Sequence, residues 1–299
     1  MTFVAGRGDS RLRLDQVVAL HVTHVSRMSR TVAQRWIEDG CVAVDGVPAR
    51  RSSHRVRTGA AITVTPPASA PLRQAPQPEP LDLDVLYEDA DLIAVNKPAG
   101  MVVHPSYRNA TGTLLNGLLW RLRGSGTNRL GLVSRLDKDT SGVLIVARSP
   151  GTHAHLQREA AAGRVKKEYV AITSGIPHPS VGVITLPLTR DPADRRRVVA
   201  APTGVPSETR YRVMTRHDAG ALVECELVTG RTHQIRVHLS ASGWPIVGDP
   251  LYGAAHPAIS RQALHAARLS FRHPRTGVPL VLEAPLPRDM AHLLGTMAT

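Results

Sequence analysis

The sequence predicts an α+β protein in which a small module of two helices and a hairpin precedes a larger domain with a mixed, largely antiparallel sheet. Three observations point there. After residue 81 many apolar runs of strand length follow one another without a regular intervening helix, which argues against a doubly wound nucleotide fold. Residues 65–80, rich in proline and offering no apolar face, read as an extended linker. The 299 residues are enough for about two domains, and a hydrophobic content of 42% with mean hydropathy −0.12 describes a globular chain. The expected division is 1–65 for the small module, 66–80 for the linker and 81–299 for the body.

In the small module, Leu12, Leu14, Val17, Val18 and Leu20 to Val22 recur at near-helical spacing, and Ser29 or Thr31 is placed to cap a second helix through Val32, Trp36 and Ile37. Gly40 ends that helix. Residues 41–44 and 61–64 read as short strands, with Asp45-Gly46 as the turn after the first. The body opens with apolar strands at 85–87 and 92–95, joined by the acidic connection Glu88 to Asp91. Leu114, Leu115, Leu118, Leu119 and Leu122 form the stripe of an amphipathic helix. Further strands are expected near 143–147, 168–173, 181–186, 208–214, 221–228, 264–271 and 279–284, with helices near 152–162, 232–241 and 287–294.

The charge is lopsided, since 33 arginines and four lysines against 24 acids leave a net charge of +13. Such an excess implies a polyanionic partner, with nucleic acid ahead of a membrane surface. Ten arginines face five acids over residues 1–65 alone. No apolar run reaches the roughly 18 residues of a membrane span, and the first residues lack the features of a signal peptide, so a cytoplasmic location is expected. Cys41 and Cys225 sit in apolar stretches without C-x-x-C spacing and read as buried thiols. His233 and His238 are five apart, which misses the spacing of a metalloprotease helix, and neither a complete dinucleotide fingerprint nor a Walker phosphate loop is present. No metal and no cofactor is expected, so the chemistry must come from side chains.

Asp137 is the strongest candidate. It lies in Gly-Leu-Val-Ser-Arg-Leu-Asp-Lys-Asp-Thr-Ser-Gly-Val, residues 131–143, a dense polar turn between apolar runs. A carboxylate there is displayed on a strand-to-strand loop, where scaffolds present their chemistry. Five other stretches are as distinctive: Leu92 to Pro105 with its Asn-Lys-Pro-Ala-Gly-Met-Val-Val-His-Pro, Lys167-Glu168-Tyr169-Val170-Ala171, Glu226 to Leu239 with Thr-Gly-Arg-Thr-His-Gln-Ile-Arg-Val-His, Gly248-Asp-Pro-Leu-Tyr252-Gly, and Leu264 to Leu269 followed by His273-Pro274. In this order the six resemble the ribosomal large-subunit pseudouridine synthases, most closely their D type. The leading module, with two short helices, a Val-Asp-Gly strand end and a later Ala-Ile-Thr-Val strand, resembles the S-four type RNA-binding domain.

That resemblance implies a monomeric, cofactor-free enzyme that isomerises uridine to pseudouridine in structured RNA, with large-subunit rRNA, free or in assembling ribosomal subunits, first among substrates. The reaction breaks the bond from uracil N1 to C1′, turns the base and joins its C5 to C1′, with no redox change and no hydrolysis. One ionised carboxylate serves as nucleophile, and an arginine beside it keeps it charged where water is excluded. By resemblance Asp137 is that nucleophile and Arg236 its ion-pair partner; attack on C1′, removal of a ribose proton toward a glycal-like intermediate and addition to uracil C6 are all open to the carboxylate, with chemistry at the ribose favoured. Tyr169 stacks under the flipped uracil with its hydroxyl near C5, where it can assist loss of the C5 proton, and Arg135 fills the place the base leaves. Extruding the base costs roughly a few kcal/mol. Arg27, Arg30, Arg35, Arg50 and Arg51 of the small module are assigned to RNA phosphates.

The sequence departs from the commonest family pattern at Ser134, where histidine usually precedes Arg135. That serine is the one hint of a different reading, a non-catalytic RNA-binding or ribosome-assembly factor on the same scaffold. A third reading, a glycosidase-like enzyme, would need two spaced carboxylates, for which Asp137 and Asp139 are the sequence candidates. Lys97, Asp139 and Thr140 read either as orienting the Asp137 loop or as ordinary turn hydrogen bonds. Arg195-Arg196-Arg197 reads as an RNA-tracking segment or a solvated charge run.

Overall fold

A computed structural model describes residues 1–6, 9–10, 12–22, 30–66, 76–105, 109–125, 130–194 and 196–297, apart from the side chain of Arg30. They fall into two compact units, Met1–Ala75 and Pro76–Thr299. The first contains β1 (Thr2–Val4), α1 (Leu14–His21), α2 (Arg30–Glu38), β2 (Val42–Val44), β3 (Val47–Pro48) and β4 (Ala61–Val64), with the strands antiparallel in the order β1-β4-β2-β3. Asp45 and Gly46 both adopt positive φ, the conformation that closes a two-residue hairpin between β2 and β3. Leu14, Val17, Val18, Ala33, Trp36 and Ile37 pack the helices onto Val42, Ile62 and Val64. Buried Asp15 accepts hydrogen bonds from Arg13 and, at 2.7 Å, from Gln34, which fastens α1 to α2. Thr31 lies inside α2 and does not cap it, while Ser29 falls outside the described residues.

The second unit holds β5 (Val85–Glu88), β6 (Leu92–Lys97), α3 (Leu114–Arg121), β7 (Gly131–Leu132), β8 (Ser141–Ala147), α4 (Pro150–Ala161), β9 (Lys166–Ser174), β10 (Val181–Ile184), β11 (Leu188–Arg190), β12 (Val198–Ala200), β13 (Thr209–His217), β14 (Gly220–Leu227), α5 (Gln234–Ala241), β15 (Leu264–Arg272), β16 (Pro279–Glu283) and α6 (Arg288–Met297). Its main sheet runs β10-β13-β14-β9-β15-β8-β6-β5, with β16 beside β15 and β7 beside β8. Every pairing is antiparallel except that of β15 with β8. Central β6 and β8 are buried on both faces, which is why their sequences are continuous apolar runs. Leu92, Ala94, Val143 and Ile145 feed a core with Leu156 of α4, whereas Ile93, Val95, Leu144 and Val146 pack against Leu114 and Leu118 of α3. A third core joins Ile235 and Leu239 of α5 and Met290 and Leu293 of α6 to Ile172 and Val223.

The parallel pair fixes where the Asp137 loop enters the sheet. Ala266 lies opposite Gly142 in register, and a Cβ on Gly142 would stand 2.2 Å from the Ala266 carbonyl oxygen. With φ at 115° as well, only glycine fits there. Among the described residues no helix is long and apolar enough to cross a membrane.

Candidate active site

The loop from Val133 to Thr140 ends at β8, and its backbone is held from beneath by two buried cations. Lys97, with no exposed surface, donates to the carbonyls of Pro98 at 2.7 Å, Met101 at 2.9 Å and Lys138 at 2.9 Å. Burial lowers its pKa to about 8 against the opposing pull of Asp139. Arg261 donates to the Asp139 carbonyl at 3.1 Å while its other nitrogens grip Asp289. Gln262 reaches Thr140 at 3.2 Å, and the Ser141 hydroxyl meets buried His265 at 2.9 Å. Of the two readings of Lys97 and Thr140, the structure therefore supports anchoring of the loop across the fold, beyond local turn bonds. The side chain of Asp139 does not join Asp137 in the cleft.

Asp137 meets Arg236, the third residue of α5, with Nη1 at 2.9 Å from Oδ2. Asp249, completely buried, takes Nε at 2.7 Å and Nη2 at 2.8 Å. Burial alone would lower the Arg236 pKa, but the bonds and charges of Asp249 and Asp137 raise it, so the guanidinium stays charged. Burial likewise works against ionised Asp249, and Arg236 overrides it and lowers that pKa. The start of α5 is locked by Gln234, whose Oε1 accepts from Thr229 and from the Arg231 N–H while its Nε2 donates to the Glu208 carbonyl and Thr209. His233, in a left-handed conformation just before α5, places Nε2 3.8 Å from Asp137 Oδ1 and Nδ1 2.8 Å from the Tyr252 hydroxyl. The Tyr252 ring lies edge-on to His233 and under the Arg236 guanidinium.

These residues open onto a cleft of about 820 Å³ lined also by Arg135, Lys167, Tyr169, Arg231 and Leu264. Asp137 is its only carboxylate among the described residues. Tyr169 is nearly buried, and burial followed by the Asp137 charge raises its phenol pKa, so it stays neutral. A neutral phenol offers a ring for stacking and is a poor base for the C5 proton. Arg135 is exposed and makes no ion pair with a described residue.

The comparisons with known proteins place the chain in a family. Residues 91–241 match the RNA pseudouridylate synthase family and residues 12–62 the S4 domain. An uncharacterised RNA pseudouridine synthase of Bacillus subtilis is 44% identical over 89% of this chain and 88% of its own. The chain belongs to the RNA pseudouridylate synthase family. A ribosomal large subunit pseudouridine synthase D of Nitrosomonas europaea is 42% identical over 95% of this chain and 83% of its own. Among solved structures, Human RNA Pseudouridylate Synthase Domain Containing 4 superposes with a TM-score of 0.59 at 28% identity, covering 72% of this chain and 92% of that one.

In this synthase, Asp137, Tyr169, Arg236 and Arg135 come together at one cleft. The S4 arginines are less uniform. Arg35, Arg50 and Arg51 are exposed without an ion pair to a described residue, Arg30 opens α2, and Arg27 lies outside the described residues. Arg196 is bound to Asp194 at 2.7 Å and Arg197 lies over the Tyr252 ring, so neither is a free member of a charge run, while Arg195 is outside the described residues. Sequence reasoning missed Asp249, His233 and Tyr252, although Gly248-Asp249-Pro250 and Thr232-His233-Gln234 were among the distinctive stretches. Cys225 is the buried thiol expected, pushed up to about 12 by burial, and Cys41 is half-buried. Asp89, Asp91 and His273 cluster elsewhere, but His273 Nδ1 accepts two backbone N–H groups, Nε2 donates to Asp89, and Arg275 pairs with Asp91. That cluster ties two hairpin turns together.

Proposed function

We propose that this synthase isomerises uridines of structured RNA, with large-subunit rRNA as substrate, acting as a cytoplasmic monomer without a cofactor. Residues 1–65 serve RNA binding, 66–80 link, and 81–299 carry the chemistry. The observation that carries the proposal is the lone cleft carboxylate, Asp137, held 2.9 Å from a buried, charge-locked Arg236. Asp137 acts at the ribose as nucleophile. An Asp137 carboxylate oxygen bonds to C1′ as the N1–C1′ bond breaks and leaves its electron pair on the uracil; the base turns on Tyr169, C5 displaces the carboxylate from C1′, the C5 proton departs, and N1 gains a proton. Arg236 keeps Asp137 anionic and oriented for attack and stabilises it again as it leaves C1′, and Arg135 occupies the stack the uridine left. Arg27, Arg30, Arg35, Arg50 and Arg51 contact phosphates. The glycosidase reading loses support because Asp139 does not line the cleft and no second carboxylate does among the described residues. The names of the D-type relatives support rRNA as substrate. The test is product analysis after incubation with large-subunit rRNA: digestion should yield pseudouridine and no free uracil. Free uracil, or unchanged uridine on RNA that demonstrably binds, would refute it.

A further inference from the structure

Lys167 carries a charge that no described residue answers. It faces the cleft with Tyr169, because residues two apart on β9 share a face. Between them Glu168 turns to the opposite side, where it accepts from Lys166 at 2.8 Å and lies 4.0 Å from Arg268. Lys167 itself has no hydrogen-bond or ion-pair partner among the described residues. Burial lowers its pKa, and no neighbouring carboxylate offsets that effect. The arrangement differs from that of Arg236, Arg261, Arg268 and Arg275, each bonded to an acid within 2.7 Å. A half-buried ammonium without a counter-charge is unfavourable in the free protein, and an anion brought by the substrate relieves it.

The surroundings narrow the anion. The Lys167 ammonium lies over Gly230, 3.7 Å from where a Cβ would be, which places it beside the backbone that leads into Arg231. The next residue, Arg231, is exposed on the same cleft wall, donates at 3.5 Å to the Pro206 carbonyl and makes no ion pair with a described residue. Two cations on one cleft, neither with a counter-charge among the described residues, suit a full negative charge. Tyr169 stands roughly 6–7 Å along the strand from Lys167, about the reach from a pyrimidine ring to its own phosphate.

We propose that Lys167 and Arg231 form a phosphate subsite that holds a phosphodiester group of the uridine being modified. The subsite rests on the reading of this cleft as the uridine pocket. It fixes the ribose of the extruded nucleotide relative to Asp137, so that flipping and registration are one event.

The test is the salt dependence of kcat/KM on large-subunit rRNA for the wild type, Lys167→Met, Lys167→Arg and Arg231→Gln. Lys167→Met should lower kcat/KM about tenfold near physiological salt, mostly through KM, and make the slope of log kcat/KM against log salt shallower by about 0.7, the value of one single-strand phosphate contact. Arg231→Gln should give a similar change of slope, and Lys167→Arg should restore it. An unchanged slope in both neutral variants, with the loss in kcat alone, would overturn the subsite and move Lys167 onto the base. Should Lys167→Met fail to fold, Arg231→Gln makes the same comparison. A wild type that never forms pseudouridine would refute the uridine reading itself and is distinguishable from either result.

Discussion

Arg236 gives two guanidinium nitrogens to Asp249 and one to Asp137. Asp249 Oδ1 also accepts the N–H groups of Leu251 and Tyr252, at 2.9 and 3.2 Å, so its own orientation is set by the turn that carries it. The orientation of Arg236 is therefore fixed before any substrate arrives, and the nucleophile meets a stationary donor. Asp249→Asn, of equal size, should cost about 3–5 kcal/mol of stability, as breaking a buried pair does, and lower kcat at least about tenfold. Urea unfolding and turnover measured on one preparation check both. A variant with wild-type stability and turnover would make the Asp249 contact incidental.

Tyr169 separates stacking from proton transfer. Burial and then the Asp137 charge raise its pKa and keep the phenol neutral, so Tyr169→Phe should hold kcat within about fivefold, while Tyr169→Ala should lose the roughly 1–3 kcal/mol of one stacked base. Single-turnover rates at saturating enzyme make the comparison. A Phe variant as impaired as the Ala variant would mean that the hydroxyl takes part in the chemistry.

Lys97 should leave a signature in the pH dependence of stability. Its pKa is about 8 in the folded protein, against the ordinary 10.5 when unfolded. Between these values the unfolded chain binds the extra proton, so stability rises with pH through that window and is flat below it, at up to about 1.4 kcal/mol per pH unit. The wild type should gain on Lys97→Met from pH 8 to pH 10.5 in urea titrations. A constant difference would mean that the three carbonyl bonds restore the ordinary lysine pKa.

The proton on His233 can be located. The Val198 N–H donates to the Tyr252 oxygen at 2.8 Å, so the phenol donates its own proton to His233 Nδ1. Neutral imidazole then carries its proton on Nε2, facing Asp137 Oδ1 at 3.8 Å. Burial, reinforced by Arg236 and opposed by Asp137, lowers the His233 pKa and favours that neutral form. Nitrogen-15 NMR should show the Nε2–H tautomer in the wild type and a mixture in Tyr252→Phe, whose kcat should fall by about tenfold, the effect of roughly one hydrogen bond. An unchanged tautomer in the variant would remove Tyr252 from this role.

Much of the fold was legible because its strands are apolar runs. β6, β8, β9, β14 and β15 were placed within two residues of their observed bounds, since burial on one or both faces writes itself into composition. β1, β3, β7, β11 and β12 were not foreseen; two or three residues carry no periodicity, and β1, β3 and β7 form on a longer neighbour's ladder while β11 and β12 pair with each other. Asp137 and Arg236 were legible through motif resemblance, although 99 residues separate them. Asp249 was in plain sight within its motif, yet nothing local says that its carboxylate turns to Arg236. The grip of Lys97 on the Lys138 carbonyl, 41 residues away, is equally a matter of tertiary packing.

The central claim is that Asp137 is the group that begins the isomerisation. The most direct measurement is tritium release to water from large-subunit rRNA carrying C5-tritiated uridine, comparing the wild type with Asp137→Asn at matched RNA occupancy. Asparagine keeps the size and loses the charge. The account predicts release by the wild type and none above background by the variant, with RNA affinity within a few fold; release by Asp137→Asn at the wild-type rate would contradict it.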